Sequence, residues 1–360
     1  MKHFFENYVK LQQRVSFTRL KTVGSWDYYW IKQLCISFLL SAHINPLAEL
    51  FRLNRLAKAN IREGNVMKLL TFWKQTEQIG LLTQDEQGVV PLSQFNFPWQ
   101  SMNELIQNST EADWAEIRSA EPSAALIYPL SEVVLRAPIP HPVRDVVCMG
   151  LNYLDHASEM ARALQEETKP RSYPIFFGKA VDRARGHLEC IPSHKDFIST
   201  LDYECELGAI LKKDVRNIRP EEVRDVIFGY TIINDITARE LSRHKQNYFM
   251  KSLDGSCPMG PWIVTADEIS YPPKLHLSLS VNGEPRQSGN TADMIFDLDI
   301  IVSELSRGIT LPAGTIFATG SPTGIGFGMN PPVFLKDGDR VRCEIEGIGR
   351  LENTVSDECR

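Results

Sequence analysis

The chain has 360 residues, 43% of them hydrophobic and 23% charged, enough for one large domain or two modest ones with a real core. A net charge of −6 argues against a nucleic-acid partner, which calls for a basic patch, and points to no membrane surface. The seven cysteines are odd in number, scattered and without a C-x-x-C pair, so they indicate neither a disulfide framework nor a structural zinc site. What remains is the expectation of a small-molecule partner and a reducing cytoplasm.

Charge divides the chain. Residues 1–66 carry ten Lys and Arg against four Asp and Glu, so a +6 leader precedes a −12 body. Its apolar run QLCISFLLSA stops at Lys32 on one side and at His43, Asn45 and Pro46 on the other, short of the ~18 residues a membrane-spanning helix needs. Glu6 and Asp27 make the region ahead of it too acidic for a signal peptide. The leader ends in IREGNV, and Arg62-Glu63-Gly64 can be encoded by the purine-rich AGG GAG GGN, which resembles a bacterial ribosome-binding site just before the Met67 codon. Residues 1–66 are therefore expected to be non-core, with translation starting at Met67.

From Met67, KLLTFW, QIGLLT and GVVPLS are short β-type runs separated by polar turns, a small meander. SMNELIQN and EADWAEIRSA follow as amphipathic helices, with Ser101 and Thr110 at N-cap positions. The prolines of PIPHP at 138–142 close what reads as a small N-terminal β-rich domain, 67–140. Beyond it VVCMG is strand-like and NYLDHASEMARAL helix-like, and many short strands between Gly and Pro turns run to the end.

In LDYECELGAI, 201–210, the strand period puts Asp202, Glu204 and Glu206 on one face and Tyr203, Cys205 and Leu207 on the other. A solvated face explains such alternation, yet three like charges this close repel unless a positive group sits among them. A divalent cation answers that need. His156 and Glu159, three apart in HASE, share a helix face, where a carboxylate fixes the imidazole tautomer and lets it take a proton from water. TGSPTGIGFG at 319–328 is glycine-rich, but it has no GK[ST] and leads into PPVFLKDGD rather than a helix, which excludes a nucleotide loop.

The segments GLNYLDHASEM, PIFFGKA, LDYECELGAI, GYTIINDITARE, KSLDGSCPMGPWIV, VNGEPRQ, NTADMIF, TGSPTGIGFGMNPPVFLKDGD and EIEGIG, in that order, resemble the fumarylacetoacetate hydrolase family. The resemblance covers about 67–355 and is dense over 145–350. It implies an α+β, mostly β fold, a mixed β-sandwich roll with few helices, whose catalytic domain occupies 141–356. It implies Mg²⁺ or Mn²⁺ held by Glu204, Glu206 and Asp235, with Asp202 supporting a ligand or a metal water. His156 and Glu159 become the water-activating pair, and Lys179 and Lys251 reach substrate oxygens, Lys179 as a catalytic group. Tyr153 and Thr319 become substrate contacts, and Arg239 a structural ion pair. A homodimer is the expected assembly.

Two positions depart from the family pattern: Ala180 stands where many relatives have Pro after the lysine, and Ser242 where many have Gln. The second leaves the acyl group of the substrate open. The activity implied is metal-assisted hydrolysis of a C–C bond in a 2,4-dioxo (acylpyruvate-like) acid. Decarboxylation, isomerisation or hydration of related oxo-acids, and a non-catalytic binding protein, are the alternatives. The polar segment 142–174, carrying the dyad, is expected to act as a lid.

Overall fold

The computed structural model describes residues 66–167 and 172–359. Residues 1–65 of the leader, and residues 168–171 of the segment expected to act as a lid, lie outside the described residues. The strands in chain order are β1 Lys68–Lys74, β2 Thr76–Leu82, β3 Gly88–Pro91, β4 Tyr128–Pro129, β5 Val134–Leu135, β6 Val146–Gly150, β7 Ile175–Lys179, β8 Cys190–Pro192 and β9 Leu201–Asp202. They continue as β10 Cys205–Leu211, β11 Ile227–Asn234, β12 Thr237–Ala238, β13 Met259–Thr265, β14 His276–Val281, β15 Glu284–Asn290, β16 Ile316–Ala318, β17 Arg340–Ile345 and β18 Gly349–Ser356. The helices used below are α1 Met102–Asn108, α2 Glu111–Arg118, α3 Leu154–Ala163, α4 Asn247–Lys251 and α5 Leu298–Leu305. Among the described residues no helix is long and apolar enough to cross a membrane.

One 11-stranded sheet runs in the order β4-β3-β2-β1-β13-β11-β10-β16-β6-β7, with β5 alongside β1, and a five-stranded sheet runs β15-β14-β17-β18-β8. Both faces of the large sheet are covered, which is why its central strands read as unbroken apolar runs such as LGAIL and YTII. Leu207, Ala209 and Leu211 pack with Leu279, Val341 and Cys343 of the second sheet. Ile210 and Ile233 instead join Met102, Leu105 and Ile117 of α1 and α2. A two-stranded sheet of β9 and β12 completes the set, and the mixed, mostly β expectation holds in this arrangement.

Both predicted N-caps form: Ser101 accepts from Glu104 N, and Thr110 and Asp113 make a reciprocal capping box. The stretch 67–140 does not make a sheet of its own. β1 pairs antiparallel with β13, Lys68 opposite Val264, so these strands extend the large sheet, and the described residues form one compact unit. The reason is that β13, MGPWIVT, is buried throughout and offers an apolar edge for β1 to cover.

The cysteine expectation also needs correction. Cys190 and Cys359 form a disulfide across 169 residues, because β8 pairs in parallel with β18 and brings the two Cα atoms to 5.9 Å. The cysteines therefore no longer argue for a reducing compartment. Cys148, Cys205, Cys257 and Cys343 are free and buried.

Candidate active site

The expected continuous strand over 201–210 is broken. β9 ends at Asp202 and pairs with β12, while β10 begins at Cys205. Between them Glu204 N donates to the Asn234 side chain at 3.1 Å, and Asp235 N donates to Glu204 O at 2.8 Å. The Asn234 amide thus replaces a ladder partner, and the break carries Glu204 next to Asp235 at the end of β11. The acid face is not solvated: Asp202, Glu204, Glu206 and Asp235 are all buried. Ligand oxygens of Glu204, Glu206 and Asp235 lie within 4.8 Å of one another.

Three cations surround this cluster. Lys251 Nζ, at the end of α4, lies 2.7 Å from Glu204 Oε2 and 2.6 Å from Asp235 Oδ2. Arg239 donates through Nε to Asp202 Oδ2 at 2.8 Å and through Nη2 to Glu204 Oε1 at 2.5 Å, the ion pair expected of it. Lys179, the last residue of β7, donates to Asp235 Oδ1 at 2.8 Å, to Ile236 O at 3.1 Å and to Lys251 O.

Burial raises the Glu204 carboxyl, but Lys251 and Arg239 outweigh it and hold the group well below the usual carboxylate range. Among the described residues Glu206 makes no ion pair, and Lys251 acts on it more weakly than its acidic neighbours do. Burial, with Asp235 and Glu204 beside it, pushes its carboxyl well above the usual range, although Gly320 N donates to its Oε2 at 2.7 Å. Hard, buried oxygen donors with one charge left uncompensated suit Mg²⁺ or Mn²⁺, so the residues present fit a divalent ion. The Tyr153 hydroxyl is buried without a hydrogen-bond partner among the described residues, and its ionisation is suppressed by burial and by Glu206.

The dyad forms on α3 as its spacing predicts. His156 Nδ1 lies 3.0 Å from Glu159 Oε2, both residues are buried, and His156 is near enough to act electrostatically on Glu204. Glu159 Oε1 accepts from Gly324 N at 2.9 Å. A carboxylate at Nδ1 can only accept, so a neutral imidazole that donates there would have the Nε2 lone pair as its base.

Two expected substrate groups are committed elsewhere. An ammonium has three protons, and all three of Lys179 are used within the protein at a fully buried position, so the structure makes it a clamp on Asp235 and α4. The Thr319 hydroxyl donates to Leu207 O at 3.0 Å and is likewise fully buried. Asp202 accepts from Gly326 N at 2.8 Å and Phe327 N at 3.1 Å and also from Arg239, which holds Glu204, so it ties the glycine loop to a carboxylate of the cluster through Arg239. Ala180 N donates to Ser252 Oγ at 2.9 Å, a bond that proline cannot make, and Ser242 is exposed.

The backbone of the 319–328 loop is what residue-type reasoning missed. Gly320, at φ +94°, supplies the N–H to Glu206, and Gly324, at φ +109°, the one to Glu159. At Gly328 an added Cβ meets Glu159 Cγ, Cδ and Oε1 at 2.4 to 2.5 Å. Because that neighbour is a flexible side chain, Gly328→Ala is expected to spare the fold and push Glu159 off His156. Steady-state kinetics should show kcat lowered ~10-fold or more, with the melting temperature within a few degrees of wild type.

Residues 145–356 match the fumarylacetoacetate hydrolase C-terminal family model. Oxaloacetate tautomerase YisK of Bacillus subtilis is 45% identical over 245 residues, 68% of this chain and 80% of that protein. The structure of a fumarylacetoacetate hydrolase from Exiguobacterium antarcticum superposes with a TM-score of 0.69 at 39% identity, over 81% of this chain and 99% of that one. A maleylpyruvate hydrolase from Sphingobium, solved with manganese(II) and pyruvate, gives 0.64 at 29% identity over 81% and 99% of the two chains. The model match spans more than half of the chain, and its segment contains the acid cluster and the dyad: this chain is a member of the fumarylacetoacetate hydrolase family.

Proposed function

We propose that the chain is a divalent-metal-dependent enzyme that interconverts the enol and keto forms of a small 2-oxo acid by moving a proton at the carbon next to the oxo group. The observation that carries this is the buried His156–Glu159 pair, locked to Gly324 and set beside the carboxylate cluster. Glu204, Glu206 and Asp235 would hold Mg²⁺ or Mn²⁺. When bound, such an ion polarises the oxo group and stabilises negative charge on its oxygen.

The chain's own residues do the rest. His156 Nε2 takes a proton from the substrate and returns it, and Glu159 steadies the imidazolium formed in between. Tyr153, whose buried hydroxyl has no partner among the described residues, would donate to a substrate oxygen. Lys179 positions Asp235 rather than contacting substrate. The 45% identity to an oxaloacetate tautomerase supports a 2-oxo dicarboxylic acid as the substrate.

A second reading is hydrolysis of a 2,4-dioxo acid. There the same Nε2 takes a proton from water, the oxygen adds to the 4-carbonyl, and the C3–C4 bond breaks to release a carboxylic acid and pyruvate. The likeness to a maleylpyruvate hydrolase bound to manganese(II) and pyruvate favours it. Parallel assays with Mn²⁺ separate the two. Accelerated loss of the enol absorbance of oxaloacetate, without pyruvate released from acetylpyruvate, is the expected result. Pyruvate release from acetylpyruvate alone selects hydrolysis, and inertness toward both refutes the reading.

A further inference from the structure

Lys251 stands where a second cation would compete with it. Its ammonium is 2.7 Å from Glu204 Oε2 and 2.6 Å from Asp235 Oδ2, so it binds two of the three carboxylates that suit a divalent ion. Metal–oxygen bonds of ~2.1 Å to those same oxygens would put the ion about 4 Å from Nζ, where repulsion between the charges is strong at any protein dielectric. Both cations cannot be held well at once.

The surroundings let the side chain move while its backbone stays. Lys251 O is fixed by Lys179 Nζ and by Ser256 Oγ, the latter at 2.8 Å, so displacement must come from the flexible four-carbon stem. Phe177 offers a place to go, its ring centroid already 5.6 Å from Nζ.

We propose that Lys251 is an exchangeable internal counter-cation. Its ammonium and the divalent ion compete for Glu204 and Asp235, and loading of the metal frees the ammonium to bind an oxygen of the incoming 2-oxo acid. This rests on the metal reading given above and adds a coupling to it: the ion makes its own site and also delivers a substrate-binding charge. No proton or electron is transferred, and the ammonium only changes partners.

Calorimetric titration of the full chain with Mn²⁺, on wild type and Lys251→Met, tests this without reference to activity. With its competitor gone, Lys251→Met should bind Mn²⁺ on the order of tenfold more tightly. It should also melt lower than wild type in chelator, since Glu204 and Asp235 lose their shared partner, and gain more from added Mn²⁺. Lys251→Arg keeps the charge and covers the case in which the methionine variant does not fold. It should bind Mn²⁺ no more tightly than wild type. Unchanged or weaker affinity in folded Lys251→Met, or tighter affinity in Lys251→Arg, overturns the proposal. A wild type that binds no Mn²⁺ overturns the metal reading itself.

Discussion

Replacing any one of Glu204, Glu206 or Asp235 by its amide is expected to cut turnover by ~10³-fold or more, about 4 kcal/mol of transition-state stabilisation, and to weaken Mn²⁺ binding. Without metal, however, the three variants should part company. Glu204 is held by Lys251 and Arg239, so Glu204→Gln takes one of two carboxylate partners from each buried cation, leaving Lys251 on Asp235 and Arg239 on Asp202, and should cost about 2 kcal/mol of stability. Glu206 accepts a backbone N–H from Gly320 and makes no ion pair among the described residues, and burial with its acidic neighbours, which outweigh Lys251, pushes its carboxyl well above the usual range.

That raised value fixes the sign of a pH dependence. A carboxyl whose pKa is higher in the folded than in the unfolded chain contributes stability that is present at acid pH and lost as pH climbs above the ordinary carboxylate value. Glu206→Gln resembles the protonated form at every pH. In chelator it should therefore melt above wild type at pH 8, with the gap closing toward pH 4. Melting curves across that range check it, and a Glu206→Gln protein that melts well below wild type at pH 8 would contradict the charge balance described here.

His156→Ala is expected to lower turnover by ~10²- to 10⁴-fold with Mn²⁺ affinity unchanged, since the imidazole moves a proton and is not a ligand. Glu159→Gln should lose nearly as much, because its single amide oxygen can replace only one of the two acceptors used by Gly324 N–H and the imidazole, and the charge that steadies imidazolium is gone. The readouts are kcat at saturating Mn²⁺ and calorimetric Mn²⁺ affinity on the same preparations. If His156→Ala lost metal affinity in step with turnover, the dyad would have to be recast as part of the metal site.

Much of this was legible because local chemistry set it. Caps at Ser101 and Thr110, the i,i+3 spacing of His156 and Glu159, and the alternating acids each depend on residues close in sequence. What was illegible depends on distant partners. The strand break at 203–204 is made by Asn234, thirty residues on. Lys179 and Thr319 are the right residue types for substrate contact, but carbonyls of Ile236, Lys251 and Leu207 take their protons. Pairing of β1 with β13 and of Cys190 with Cys359 likewise needs the fold before the contact exists. The glycines of 319–328 were visible as punctuation, while their N–H groups found Glu206 and Glu159 only in three dimensions.

The central claim is that Glu204, Glu206 and Asp235 hold one divalent ion on which a 2-oxo acid binds. Crystals grown with Mn²⁺ and oxalate, a chelating mimic of such an acid, test it through the anomalous signal of manganese. The account predicts a single strong peak among the three carboxylates, with oxalate on its open side and the Lys251 ammonium moved off Glu204 and Asp235. Manganese located elsewhere, or oxalate bound away from the three carboxylates, would contradict it.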